Sequence, residues 1–342
     1  MNKINESLSP TPEEPFDLKR AKRSFSRIGL SLFIIFIAAS ALQALFSALP
    51  PLIWGEDNFL STSSWGLWII TFVPMYAIAF PLGILMLRKL PVSAPAPNKL
   101  GAKRFLGFIP LCFFLMYAGS LVGNFLSSFF SGGTAENAIL EYAMDDNPIK
   151  LLVIVILAPL FEELIFRKQL IDRCVVYGEK SAVIFSGVCF GLFHGNLFQF
   201  FYAFLLGCVF AYIYVRSGKM RYTAILHIII NFVGSVIAPW FIANLDLEAI
   251  SALDPIGAPE AAMTIIMENA LGLALYMLFM LFVMVMFFWG LALFINRIKK
   301  TRWEAVPSPL PQGTAFKTAY LNLGMILFAL LCIVTTVMML FM

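Results

Sequence analysis

The sequence predicts an all-α, polytopic bundle of transmembrane helices with about nine spans, eight being possible. Of its 342 residues 60% are hydrophobic and only 13% are charged, and the mean hydropathy is +0.86. A soluble domain carries about 45–50% apolar and about 25% charged residues. Long apolar runs recur along the chain, and the basic residues gather in the segments between them. An ordinary water-soluble domain is therefore excluded.

Seven apolar segments are long enough to cross a bilayer, which takes roughly 20 residues of α-helix. They are residues 28–53, 65–87, 105–130, 151–174, 222–245, 264–295 and 318–342. A further stretch, 181–215, is too long for one helix and is interrupted at Gly195-Asn196, so it predicts two shorter helices. We predict one membrane bundle over residues 28–342, preceded by a disordered cytoplasmic tail at 1–27 that is rich in proline and glutamate.

The charge distribution supports nine spans. All but one of the 24 lysines and arginines lie in the clusters 3–27, 88–104, 167–180, 216–221 and 297–317. With nine spans these clusters fall on one side, whereas eight spans would place basic loops on both faces. Basic loops mark the cytoplasmic side. The N-terminus is therefore predicted inside and the C-terminus outside, in the plasma membrane if the chain is prokaryotic.

The composition also excludes other kinds of partner and site. A formal net charge of +4 is too small to indicate nucleic acid. The five cysteines lie in apolar runs without a CxxC spacing, which predicts neither a disulfide framework nor a thiolate zinc site. The partners that remain are the lipid bilayer and a membrane-associated protein or peptide.

Polar side chains inside the predicted spans are the candidate functional residues. An ionisable group in lipid costs about 2.5–3.5 kcal/mol or more, so each one suggests a function. The fourth, fifth and seventh spans carry Glu162, Glu163, Arg167, His194, His227 and Asn231. Both histidines of the protein are among them.

The positions of the two glutamates on the helix predict different roles for them. Glu163 and Arg167 stand at i, i+4, the favourable order for an ion pair on a helix. Glu162 points about 100° away and has no partner on its own helix. A carboxylate removed from water suits a general base. The alternative is that both glutamates pair with basic residues and only hold the bundle together.

The histidines lie on helix faces suited to a shared site. Gly187 and Gly191 form a GxxxG pattern that permits close helix approach, and we expect this approach to bring His194 to a carboxylate of the fourth helix. His227 and Asn231 are four residues apart, and two donors aimed at one point can stabilise an oxyanion. The alternative is that these side chains form interhelical hydrogen bonds and only pack the bundle.

Three ordered motifs resemble those of a known family. They are EExxxR (Glu162, Glu163, Arg167), FxxxH (Phe190, His194) and HxxxN (His227, Asn231). This set resembles the CAAX protease and bacteriocin-processing family of intramembrane proteases, also called CPBP or Abi proteins. The resemblance covers about residues 135–239, the predicted catalytic core. It implies hydrolysis of a peptide bond within the membrane, as by a CAAX prenyl protease.

The resemblance also implies residue roles. Glu162 and His194 would activate or ligate a water, and His227 with Asn231 would form the oxyanion hole. Glu163, Arg167 and Phe190 would support the site. We favour a glutamate-activated water over a bound metal. The alternative is a divalent metal such as zinc, which needs three protein ligands and an open position, and Glu162, His194 and His227 could supply those ligands.

Two other function classes stay open. One is a non-catalytic membrane protein of the same fold, conferring immunity to a membrane-active peptide or acting as a scaffold. The other is a transporter, in which the intramembrane polar residues would form a cation path. The chain shows no repeated halves and concentrates these residues on three helices, which opposes the transporter.

Overall fold

The structure, a computed structural model, describes residues 17–251 and 256–341. Within these ranges there is no strand. The long helices are α1 (Leu18–Trp54), α2 (Ser64–Leu87), α3 (Ala102–Ser131), α4 (residues 151–174), α5 (Glu179–Phe193), α6 (Leu197–Ser217), α7 (Met220–Ala243), α8 (Ala270–Ile298) and α9 (Leu323–Phe341). Short helices occupy Phe59–Thr62, Ala138–Met144, Leu247–Ser251, Pro259–Glu268 and Ala315–Ala319.

The predicted all-α polytopic bundle is confirmed. Within the described ranges, seven of these helices are long and apolar enough to cross a membrane, namely all except α4 and α5. α4 is irregular because π-helical turns at Leu151–Leu157 and Leu164–Gln169 interrupt it. α5 has only 15 residues. Each predicted apolar segment nevertheless corresponds to a helix of the bundle.

The first helix begins earlier than predicted. Residues 18–27 form the first turns of α1 and are helical, which corrects the predicted disordered tail over that part. Ala21, Phe25 and Ile28 are buried at helical spacing. These first turns of α1 therefore have a packed apolar face in addition to the face that carries the basic residues. Asp17 caps the helix by accepting the Arg20 N–H at 2.9 Å. The rest of the predicted tail, residues 1–16, lies outside the described residues.

Two further helix ends differ from the prediction. The segment predicted at 264–295 is divided into Pro259–Glu268 and α8, with Asn269 between them. The segment predicted at 318–342 becomes regular only at Leu323, because Asn322 accepts the Met325 N–H at 3.0 Å and caps α9. Met342 lies outside the described residues.

The predicted break between α5 and α6 is confirmed. Gly195 adopts a left-handed conformation with φ of +63°, which favours glycine. Asn196 then caps α6 by accepting the Gln199 N–H at 2.9 Å, and its side-chain amide donates to the His194 carbonyl at 2.9 Å. The turn therefore fixes His194 at the end of α5.

The glycines of α5 face α6, not the fourth helix as expected. A Cβ on Gly187 would overlap the Cys208 sulfur, and one on Gly191 would lie 2.9 Å from the Phe200 oxygen. Small residues here let the two backbones approach closely, so α5 and α6 pack as a pair. α4 contacts both α5 and α7. This arrangement brings the three predicted motifs together.

Candidate active site

The helix that carries both glutamates is irregular on both sides of them. Ala158 donates its N–H to the Val153 oxygen, a π-type bond. In that register the Ile154 oxygen would need an N–H from residue 159, which is proline and has none. The Asn231 side-chain amide supplies the missing donor and lies 2.9 Å from the Ile154 oxygen. π-Helical turns of this kind are frequent at functional sites.

The predicted ion pair between Glu163 and Arg167 is confirmed. Arg167 Nε lies 3.0 Å from Glu163 Oε2, and Nη2 lies 3.3 Å from Oε1. Both side chains are fully buried. A two-pronged contact of this geometry is the strong form of a charge-assisted hydrogen bond. The guanidinium also lies over the Phe190 ring, 5.0 Å from its centroid.

Sequence reasoning missed Ser186 as a member of this network. Its hydroxyl accepts from Arg167 Nη1 at 2.6 Å and donates to the Phe166 oxygen at 2.9 Å. The residue therefore ties α5 to α4 through the buried arginine. Ser186 precedes Phe190 by four residues on the same helix face, and this spacing was the available sequence signal.

His227 lies between the two glutamates. Its Nδ1 is 3.2 Å from Glu163 Oε1, and its Nε2 is 3.6 Å from Glu162 Oε2. Because Nδ1 faces a carboxylate already paired with Arg167, we assign the proton of the neutral imidazole to Nδ1. The lone pair of Nε2 then faces Glu162, at a distance too long for a direct hydrogen bond.

Glu162 differs from its neighbour in having no arginine partner. Its side chain is 19% exposed, whereas that of Glu163 is fully buried. Among the described residues, the charged or ionisable group within ion-pair distance of Glu162 is the His227 ring. The carboxylate is thus only weakly held and retains access from outside the packed core.

His194 lies at the same site without contacting Glu162 in the way predicted. Its Nδ1 donates to the Phe190 oxygen at 2.8 Å, which leaves Nε2 as an acceptor. The Phe190 ring makes T-shaped contacts with both imidazoles, with centroid distances of 4.9 Å to His194 and 5.7 Å to His227. The imidazole within ion-pair distance of Glu162 is that of His227, whose Nε2 lies 3.6 Å from Oε2.

The three possible metal ligands are not assembled as a metal site. In the described parts of the chain, no group of three or more His, Cys, Asp or Glu side chains is placed to hold a metal ion. Glu162 and His227 approach each other, but His194 is turned toward the Phe190 carbonyl. Their use as ligands stays a prediction.

The fold and site together define a class of protein. A bundle of membrane helices encloses a carboxylate and an imidazole that face each other, supported by a buried ion pair. Such a centre can move a proton to and from a reacting group.

Comparisons with known proteins show what the chain is similar to. Residues 145–233 match the family model described as "Type II CAAX prenyl endopeptidase Rce1-like". The chain is 27% identical over 192 residues to "Putative membrane peptidase YdiL" of Bacillus subtilis (strain 168), covering 52% of this chain and 72% of that protein. No solved structure matches. Both matches support membership of the CAAX protease and bacteriocin-processing family, the family model over residues 145–233. The matches support a CAAX-type intramembrane protease at family level, and together with the seven apolar helices they support an integral, multi-pass membrane protein.

Proposed function

We propose that the protein is an intramembrane endopeptidase that hydrolyses a peptide bond in a membrane-associated protein or peptide, with Glu162 as general base. One contrast carries this proposal. Of two adjacent glutamates, Glu163 is fully buried and neutralised by Arg167, whereas Glu162 is partly accessible and faces His227 at 3.6 Å. A weakly held, partly buried carboxylate suits proton abstraction.

The proposed reaction begins with a water bound at Glu162. The carboxylate takes a proton from this water, and the resulting hydroxide attacks the carbonyl carbon of the scissile bond. His194 orients the water by accepting a hydrogen bond at Nε2, which its bond to the Phe190 oxygen leaves free to accept. When the tetrahedral intermediate collapses, the C–N bond breaks and Glu162 returns the proton to the leaving amine. Atoms and charge balance without a further reactant.

The oxyanion of the intermediate would be stabilised from α7. Glu163 holds the His227 ring through Nδ1 at 3.2 Å, and Nε2, which faces Glu162, donates to the oxyanion when it holds the proton that Glu162 takes from the water. Asn231 uses one amide N–H on the Ile154 oxygen and keeps a second one for the substrate. Each such donor contributes roughly 10²–10³-fold to the rate in well-characterised hydrolases.

The substrate class follows from the family level and the membrane setting. We propose cleavage of the CAAX prenyl protease type, in a protein or peptide that reaches the site from the bilayer. We also propose that the N-terminus is cytoplasmic, on the basis of the positive loops, and that a prokaryotic version lies in the plasma membrane. The proposed steps use a glutamate-activated water, and a divalent metal held by Glu162, His194 and His227 stays the alternative.

A substrate-trap comparison tests this function. Membrane fractions from cells that express the wild type, Glu162→Gln or Glu268→Gln are compared for shortened and for co-purifying membrane proteins. Glu268 is exposed and lies in the short helix before α8, so it is the matched control. We expect the wild type and Glu268→Gln to shorten the same proteins, and Glu162→Gln to retain them uncut. Identical fragment profiles for all three would instead favour a non-catalytic immunity or scaffold role.

A further inference from the structure

A basic groove lies at the end of the bundle where the first turns of α1, the last turn of α2 and the start of α9 meet. It encloses about 740 Å³. Its basic side chains are Lys19, Lys22, Arg23, Arg27 and Lys89. It is distant in the chain from the three motifs, and none of the residues assigned to the reaction lines it. The groove is therefore not explained by the proposed function.

The positive charges of the groove have no ion-pair partner in residues 17–251 and 256–341, the described part of the chain. Among the described residues, no carboxylate forms an ion pair with any of its five basic side chains. Four of them come from one face of α1, since they recur at helical spacing over residues 19–27. Like charges held this close repel one another, and an anion placed between them relieves that repulsion.

The shape of the groove follows from how α1 meets α9. Gly324 donates its N–H to the Ser26 hydroxyl at 3.1 Å, and a Cβ on Gly324 would overlap the Ser26 carbonyl oxygen. The two backbones thus touch at this point. The basic turn of α1 continues beyond the contact, which leaves an open space beside the capped start of α9.

The walls of the groove are apolar away from the charges. Leu30 of α1, Leu85 of α2 and Leu323 of α9 line it. The side chains of Leu85 and Leu323 are 51% and 71% exposed. A site for a free anion would not need these exposed leucines. A bound hydrocarbon chain would cover them and remove their apolar surface from water.

We infer that this groove binds an anionic phospholipid of the surrounding membrane. The phosphate lies among the lysines and arginines, and the acyl chains lie against the leucines. Basic pockets between transmembrane helices bind anionic headgroups through the same chemistry. The site takes its ligand from the bilayer in which the chain resides.

Lipid binding to the purified full-length protein in detergent tests the inference directly. The probes are phosphatidylglycerol, phosphatidylcholine of the same acyl length, and inorganic phosphate, and binding is read by native mass spectrometry. The test variant is Lys22→Gln/Arg23→Gln/Lys89→Gln. The matched control is Lys180→Gln/Lys299→Gln/Lys300→Gln, three exposed basic residues in other predicted basic clusters. Lys89→Gln alone, just after α2, gives a second variant with minimal disturbance.

We expect phosphatidylglycerol to bind more tightly than phosphatidylcholine, and the test variant to lose about tenfold to 100-fold in affinity. Lys89→Gln should lose less, and the control should retain wild-type affinity. Equal binding of the two lipids, or equal loss in test and control variants, would overturn the inference. Displacement of the lipid by millimolar inorganic phosphate would overturn it in favour of a free-anion site. Thermal unfolding without lipid shows whether each variant is folded.

Discussion

Arg167 holds both carboxylate oxygens of Glu163, through Nε at 3.0 Å and Nη2 at 3.3 Å, and neither side chain reaches solvent. The contact does more than neutralise two charges. It fixes the carboxylate that faces His227 Nδ1, and so decides which nitrogen of the imidazole is turned to Glu162. The proposed chemistry therefore depends on this ion pair, because it sets the orientation of the His227 ring.

Removal of Arg167 should therefore cost stability first. Arg167→Ala leaves Glu163 as a buried charge without its cation, which lowers the free energy of unfolding by roughly 3–5 kcal/mol. Thermal unfolding in detergent measures the loss, with Lys180→Ala as an exposed control. The double variant Glu163→Leu/Arg167→Met should recover much of the stability. If Arg167→Ala is as stable as wild type and lacks only activity, Arg167 contacts substrate or water instead.

Substitution of Asn231 should affect both the catalytic activity and the shape of α4. Asn231→Ala removes the donor to the Ile154 oxygen, a partly buried contact, and leaving such a carbonyl unpaired costs up to about 1–3 kcal/mol. As a lost oxyanion donor, it should also lower kcat by roughly 10²–10³-fold. Asn231→Asp replaces the donating side-chain amide by a carboxylate. Its kcat in cleavage assays should therefore fall by a similar factor to that of Asn231→Ala. An unchanged kcat with only a lower unfolding temperature would assign Asn231 to structure alone.

Close packing of α5 on α6 predicts a sharp difference between two glycines. In Gly187→Ala the new Cβ meets the Cys208 sulfur, and the Phe204 oxygen is 3.0 Å away. The helices must separate, and thermal stability should fall. A Cβ added at Gly234 of α7 would meet no described atom within 4 Å, so Gly234→Ala should be neutral or stabilising by up to about 1 kcal/mol. Equal unfolding temperatures for both variants would contradict this packing.

The membrane orientation can be read from two exposed positions. Lys99 precedes α3 and Glu136 follows it, so they lie at opposite ends of one helix. Lys99→Cys should be labelled only after the membrane is permeabilised, and Glu136→Cys in intact cells. The native cysteines are buried or half-buried and give a low background. Labelling of both positions from the same side would rule out nine spans.

The sequence was sufficient for much of the fold because its signals are local. Apolar length predicts each membrane helix, and an i, i+4 spacing predicts the pair of Glu163 with Arg167. The break at Gly195 is likewise a local signal. The helix over residues 18–27 was not predicted, because the many basic residues on one face of α1 made the segment resemble a solvated tail. The buried face that carries Phe25 is short and gives a weak apolar signal.

The contacts between helices could not be read in the same way. Helical spacing shows which residues share a face, but not which helix that face meets. From the sequence, the glycines of α5 were predicted to contact α4. In the structure they pack against α6. For the same reason the approach of His227 to Glu162, at 3.6 Å, was not expected, and the joint action of His194 and Glu162 on a water stays a prediction. Ser186 was missed because a serine in a membrane helix has many possible partners.

The central claim is that Glu162 activates the attacking water, and one measurement tests it most directly. Purified wild type, Glu162→Gln and Glu268→Gln are compared in liposomes for cleavage of a membrane peptide, with the unfolding temperature of each measured alongside. The account predicts that Glu162→Gln loses at least about 10²–10⁴-fold in kcat at an unchanged unfolding temperature, and that a chelator leaves the wild type active. Loss of wild-type activity on chelation, restored by zinc, would reassign Glu162 to metal ligation. Full activity of Glu162→Gln would contradict the account.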